Sequence, residues 1–140
     1  MRSKIVALFF LLILFSSCQP SSFEEFEWEG ASCSKSLIKE LQGIRNREDL
    51  SKAESVLKKH FEKMVNLMIQ ARVFFQKNPY FEPGFSLENQ QLNALLFEEM
   101  QRVYALEGGK ECIEKAQKEA MLRLHAKEKI WTKQHLPQLK

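Results

Sequence analysis

Signals for β-structure are almost absent from this 140-residue sequence. No stretch alternates Val, Ile or Thr with polar residues, and no Asn-Gly pair offers a hairpin turn. Catalytic signatures are missing as well. There is no HExxH or Glu-x-x-His pair for a metal, no GxSxG, and no glycine-rich loop to cradle a phosphate. The adjacent carboxylates Glu24-Glu25 and Glu98-Glu99 would point apart on a helix, unlike the facing pair of a glycosidase. His125 and His135 lack the i,i+3 or i,i+4 spacing that sets two ligands on one helical face. No catalytic residue, metal site or cofactor is therefore expected, and a non-enzymatic role is favoured.

A surplus of one charge is also missing. The formal net charge of +3 includes Arg2 and Lys4. Without those two it falls to about +1. A nucleic-acid binder needs a concentrated cationic surface, so nucleic acid is not an expected partner.

What is present begins with a leader. Arg2 and Lys4 precede an unbroken apolar run from Ile5 to Phe15. As a helix this run rises only about 16 Å, roughly half a bilayer core, which is the length of a secretory h-region rather than a span. Leu14-Phe15-Ser16-Ser17-Cys18 then resembles the lipobox of bacterial lipoproteins, in a relaxed form with Phe15 where leucine is usual. The resemblance implies a signal peptide over 1–17, cleavage before Cys18, and covalent lipid on the Cys18 thiol and on the new amino terminus. Two or three acyl chains anchor stably where one holds only marginally. An ordinary cleaved signal peptide and an uncleaved anchor are the alternatives. By the same resemblance, Gln19 after the cysteine favours the periplasmic side of the outer membrane. The expected partners are then the membrane, through the lipid, and an envelope protein.

If Cys18 carries lipid, Cys33 and Cys112 remain. An even pair in an oxidising compartment suggests a disulfide, two free thiols being the alternative. No CxxC occurs, so a redox motif is not supported.

Residues 18–32 read as a lipid-anchored tether, with Pro20 and its serines as spacer. Its aromatics Phe23, Phe26 and Trp28 are either a recognition segment or the place where the tether docks on the domain. Residues 33–140 read as one helical domain. A short helix from Ser34 to about Ile44 carries Leu37, Ile38 and Leu41. A long one starts between Asn46 and Ser51 and runs to Lys77. Leu50/Leu57/Met64/Ala71, Ala53/His60/Leu67/Phe74 and Phe61/Met68/Phe75 form three adjoining apolar rows along it. Pro79, Pro83 and Gly84 stop it. Ser86 caps a third helix whose apolar side includes Leu87, Leu92, Leu95, Leu96, Met100 and Val103. Gly108-Gly109 ends that helix, the first glycine suiting a left-handed cap. A fourth runs from about Lys110 to Gln134, its stripe drawn from Ile113, Ala116, Ala120, Leu124 and Trp131. Glu111/Lys115, Glu114/Lys118 and Glu119/Arg123 have the spacing of intrahelical pairs on a solvated face. Short connections imply antiparallel neighbours. The expected fold class is therefore all-α, a small antiparallel helical bundle of three long helices plus a short N-terminal one.

Phe74, Phe75, Tyr80, Phe81 and Phe85 concentrate at one helix end and its loop. They are either a plug for the core or an exposed tip that binds a partner. The candidate contact residues are thus Phe23, Phe26, Trp28, Tyr80, Phe81 and Phe85. The leading functional expectation is an anchored envelope lipoprotein acting through protein contacts or as a structural or assembly component. A carrier of an apolar or lipidic ligand, with a cavity lined by Phe61, Met64 and Leu96, is the alternative. A periplasmic enzyme built on His60 and a nearby carboxylate is the third.

Overall fold

The computed structural model describes residues 20–84 and 86–135, the last five by backbone alone. All the regular structure among them is helical: α1 (Phe23–Gly43), α2 (Arg47–Lys77), α3 (Leu87–Tyr104) and α4 (Gly109–His135). The all-α class is as expected. The first helix is not: it has 21 residues and begins at Phe23 rather than Ser34.

The cause is local. Ser22 accepts a hydrogen bond from the Glu25 N–H, and the Glu25 carboxylate accepts from the N–H and hydroxyl of Ser21. This near-reciprocal cap nucleates a turn inside what read as tether. Phe26, Cys33, Leu37 and Leu41 then fall on one buried face at three- and four-residue spacing. At the next boundary Asn46 caps α2, its side-chain oxygen accepting from Glu48 and Asp49 at 2.9 and 3.0 Å. Ser86 caps α3 by accepting from the Asn89 N–H at 3.2 Å. Between α3 and α4, Gly108 takes the left-handed conformation (φ +75°). A Cβ on Gly109 would lie 1.9 Å from the Val103 carbonyl oxygen. Both glycines are thus required by the turn, one by its dihedral and one by space.

Contacts fix the running directions. The start of α1 meets the end of α2, where Phe23 packs on Phe75 and Phe26 on Phe74, so these two helices are antiparallel. The other close pairs are parallel. Lys35 and Gln42 of α1 bond Glu88 and Glu99 of α3, in ascending order on both. Glu54, Lys58 and Glu62 of α2 pair with Lys115, Glu119 and Arg123 of α4, again in ascending order. Lys115, Glu119 and Arg123, three of the six charges read as intrahelical pairs on α4, therefore bridge to α2, while Glu114 pairs within its helix with Lys110 at 3.8 Å. Chain neighbours α3 and α4 touch far less than α2 and α4 do. The expectation of antiparallel neighbours concerns helices joined by short connections; α1 and α2 are such a pair, whereas the parallel pairs α1/α3 and α2/α4 are next but one in the chain.

Length differences decide where the core sits. With 18 residues, α3 is much shorter than α2, which has 31. Four helices surround the end that holds the α3–α4 turn. Leu37, Leu41, Ile44, Leu50, Leu57, Val103 and Ile113 are packed there, each no more than 4% exposed. At the opposite end α3 is absent and α2 keeps an uncovered flank. On α2 only Leu50, Ala53, Leu57, Phe61 and Val65 are buried. Met68, placed in an apolar row by its spacing, is 59% exposed because nothing covers it.

Candidate functional site

The two aromatic stretches that lie far apart in sequence meet at this open end. Phe23 stacks on Phe81 with ring centroids 5.0 Å apart, and Phe26 on Phe74 at 5.4 Å. Phe74 meets Phe75 and Phe81 edge-on at 5.7 and 5.9 Å. Tilted and edge-on pairs of this kind each add about 0.5–1.5 kcal/mol beyond area burial. Phe23 and Phe26 therefore dock inward instead of forming a free recognition segment. Phe74, Phe75 and Phe81 plug the end, while Tyr80 beside them is 97% exposed. Trp28 points away from the cluster and is 71% exposed. Cys18 and Phe85 lie outside the described residues.

Beside the plug, an apolar groove of about 720 Å³ runs between the ends of α2 and α4. Met68, Ile69 and Val73 face Met121 and Leu124 across it, with Arg72, His125 and Lys127 among its polar lining. Arg72 pairs with Glu128, which also lies 3.6 Å from His125. A smaller cleft of about 360 Å³ opens where α3 begins, lined by Gly30, Met64, Leu67, Met68 and Leu92. Of the residues expected to line a ligand cavity, Met64 reaches this cleft, Phe61 is buried in the core, and Leu96 packs against that core. His60 is half-buried on α2. Among the described residues no group of three or more His, Cys, Asp and Glu side chains is placed to hold a metal ion.

Cys33 and Cys112 are both free thiols, and no bridge joins them. Cys33 is expected from its sequence context to stand directly before a first helix starting at Ser34. It lies instead midway along α1, where its charged neighbours are Lys63 and Glu29, whereas Cys112 has Glu54 and Lys115 beside it. From Lys63 to Glu54 is nine residues, about 13 Å of helix. Burial raises both thiols above their usual value of 9.0, so neither is an activated nucleophile.

A fold signal was missed in the sequence. Ser22-Phe23-Glu24-Glu25 has the S-x-x-E form of a capping box, and it announces α1 eleven residues early. The uncovered flank of α2 had no such signal, because it depends on where α3 lies.

Fold and site together define an all-helical protein with one closed, polar end and one open, aromatic end. Comparison with known protein families, curated proteins and solved structures finds no match to this chain.

Proposed function

We propose that this chain is an exported bacterial lipoprotein. It is cut before Cys18, acylated there, and held on an envelope membrane, with the periplasmic side of the outer membrane favoured by Gln19. Its helical domain acts without catalysis, through contacts with an envelope protein or as an assembly component. The observation that carries the reading is the leader: two cations, the apolar run Ile5–Phe15, and Ser16-Ser17-Cys18. No helix among the described residues is long and apolar enough to cross a membrane, so on this reading attachment falls to the lipid. Tethering raises the effective concentration of the domain toward anything else on the same surface. Expression in a lipoprotein-competent bacterium followed by intact mass tests the address. A mature species beginning at Cys18 with added acyl mass is expected, and an unacylated species starting at Gln19 or later would refute it. Crosslinking in the native envelope tests for the protein partner.

A second reading, a carrier of an apolar or lipidic ligand, is favoured by the groove between Met68, Val73, Met121 and Leu124. Its cationic lining residues Arg72 and Lys127 suit an anionic headgroup. Lipid extraction and mass analysis of the purified protein separates the two: a stoichiometric bound lipid supports the carrier, and none supports the contact role.

A further inference from the structure

The first residue of α1, Phe23, stands five positions after Cys18. On the lipoprotein reading, on which this inference rests, an acylated Cys18 sits at the bilayer surface. Five extended residues reach about 17 Å, whereas α2 alone is about 46 Å long. The aromatic end of the molecule is therefore held beside the bilayer. The end bearing Arg47 and Gly108 reaches the bilayer only if the bundle lies flat.

The distribution of apolar surface opposes lying flat. Leu87, Leu95 and Phe97 of α3 and Met121 and Leu122 of α4 are exposed along the flanks, but they stand about 80° or more from one another around each helix, so no flank presents a single apolar face. The far end, built by residues 43–52 and 103–114, carries no exposed large hydrophobic side chain. Arg45, Arg47, Glu48, Lys52, Glu107 and Lys110 are exposed there instead. At the near end Trp28, Met68, Tyr80, Phe81 and Ile130 are exposed. Tyr80 is the most prominent of them, and its position is fixed. Pro79 stiffens the loop before it, and the Phe81 ring after it is pinned on Phe23, Phe74 and Phe75. A tyrosine presented in this way has an apolar body and a polar tip, the combination that partitions to the headgroup layer. Charge does not forbid the approach. Glu24 and Glu25 occupy the first turn of α1, whose partial positive charge offsets them. Glu82 is exposed in the loop itself, and the exposed Lys77, Lys127 and Lys129 at the same end offset it toward anionic lipid.

We infer that the protein stands end-on on the bilayer, with the Tyr80–Phe81 loop in the headgroup layer and the polar Arg47–Gly108 end projecting away from it. The occupant of the aromatic tip is thus a lipid surface, and a protein partner is met by the far end.

The test uses the full chain, produced in a lipoprotein-competent bacterium and purified as the mature species. It is placed in phosphatidylethanolamine–phosphatidylglycerol vesicles containing brominated lipid. In a Trp28→Phe/Trp131→Phe background, a single tryptophan is introduced at an exposed site by Tyr80→Trp or by Arg47→Trp. Intact mass is read on the same samples. Acylated protein whose fluorescence is quenched with tryptophan at 80 and unchanged with tryptophan at 47 is the expected result. Quenching at both positions would mean that the bundle lies flat, and it overturns the proposal. Quenching at neither, whether the tip is bare or covered by a copurified protein, overturns it too. An unacylated mass refutes the lipoprotein reading itself, and the orientation falls with it.

Discussion

Arg102 shows how one side chain joins two elements. The last turn of α1 contains no basic residue, so its terminal carbonyls lack a local cationic donor, although the Ile44 N–H reaches the Leu41 carbonyl at 3.0 Å. Arg102 of α3 supplies one from across the structure. Its two terminal nitrogens donate to the Leu41 and Ile44 carbonyls at 2.6 and 2.8 Å, while its Nε donates to Glu99 at 2.8 Å. Arg102→Ala should lower unfolding stability by about 1–3 kcal/mol, the range for hydrogen bonds to a charged group. Arg102→Lys should recover little, since a point charge cannot reproduce the fork. Urea denaturation checks this, and an unchanged midpoint would remove the capping role. The cysteines give a second prediction at this scale. Without reductant, native protein at neutral pH should accept alkyl groups on both Cys33 and Cys112. Cys33, at 2% exposure, should react more slowly than half-buried Cys112. Mass spectrometry showing no alkylation until reductant is added would restore the bridge. Neither feature was legible in the sequence. A guanidinium partner sixty residues away leaves no periodic trace, and cysteine parity says nothing of distance.

Among the elements, the parallel pair α2/α4 carries an ordered row of charges. Glu54, Lys58 and Glu62 face Lys115, Glu119 and Arg123, and Asn66 accepts from Lys127 at 2.5 Å. The signs alternate, so a slip of one helical turn is penalised in both directions. One slip sets Glu54 against Glu111, Lys58 against Lys115 and Glu62 against Glu119. The other sets Glu54 against Glu119 and Lys58 against Arg123. Individually such exposed pairs contribute about 0–1 kcal/mol, but together they favour one register, as flanking charges do in coiled coils. Lys58→Glu should therefore destabilise by about 1 kcal/mol, and adding Glu119→Lys should restore most of the loss. Concentrated salt should shrink the difference. If the double variant is no more stable than the single one in thermal melts, the pair is not coupled. The helix stripes and the caps at Ser86 and Gly108 could be read from sequence because they are local, and the start of α2 could be read as far as the range Asn46 to Ser51. The partner of each charged face could not, since the same i,i+4 spacing serves an intrahelical pair and an interhelical row.

The molecule as a whole should keep its stability across a broad pH plateau. The Ser21 backbone N–H holds Glu25 below the ordinary carboxylate value of 4.5, and hydrogen bonds from Lys35 and Lys58 do the same for Glu88 and Glu119. These three groups contribute stability above 4.5 and lose it as pH falls through their lowered values. Lys115, bonded to Glu54, is raised above 10.5. Its contribution is complete below that value and is lost as pH rises through the raised one. Glu25, Glu88 and Lys115 are exposed and Glu119 only half-buried, so the slopes should be shallow. Denaturant midpoints measured from pH 3 to 11 should fall gently on both sides, and a continuous rise toward pH 3 would contradict the assignment. The asymmetry between a sealed end and an open one also belongs to this scale. It follows from α3 spanning little more than half the length of α2 and leaving the Met68 flank bare.

The sequence by itself determined the helical class, the punctuation between helices, the apolar run Ile5–Phe15 ahead of Cys18, and the absence of recognisable catalytic motifs. Each of these is written in neighbouring residues, through periodicity, capping chemistry or a short motif. Only the tertiary structure decided that Phe23 and Phe26 pack at the same end as Phe74 and Phe81, that α2 pairs in parallel with α4, and that Cys33 and Cys112 have different neighbours. Those outcomes depend on the relative placement of helices joined by loops. That placement is fixed by the total apolar surface buried together, a sum over distant residues that no local pattern contains.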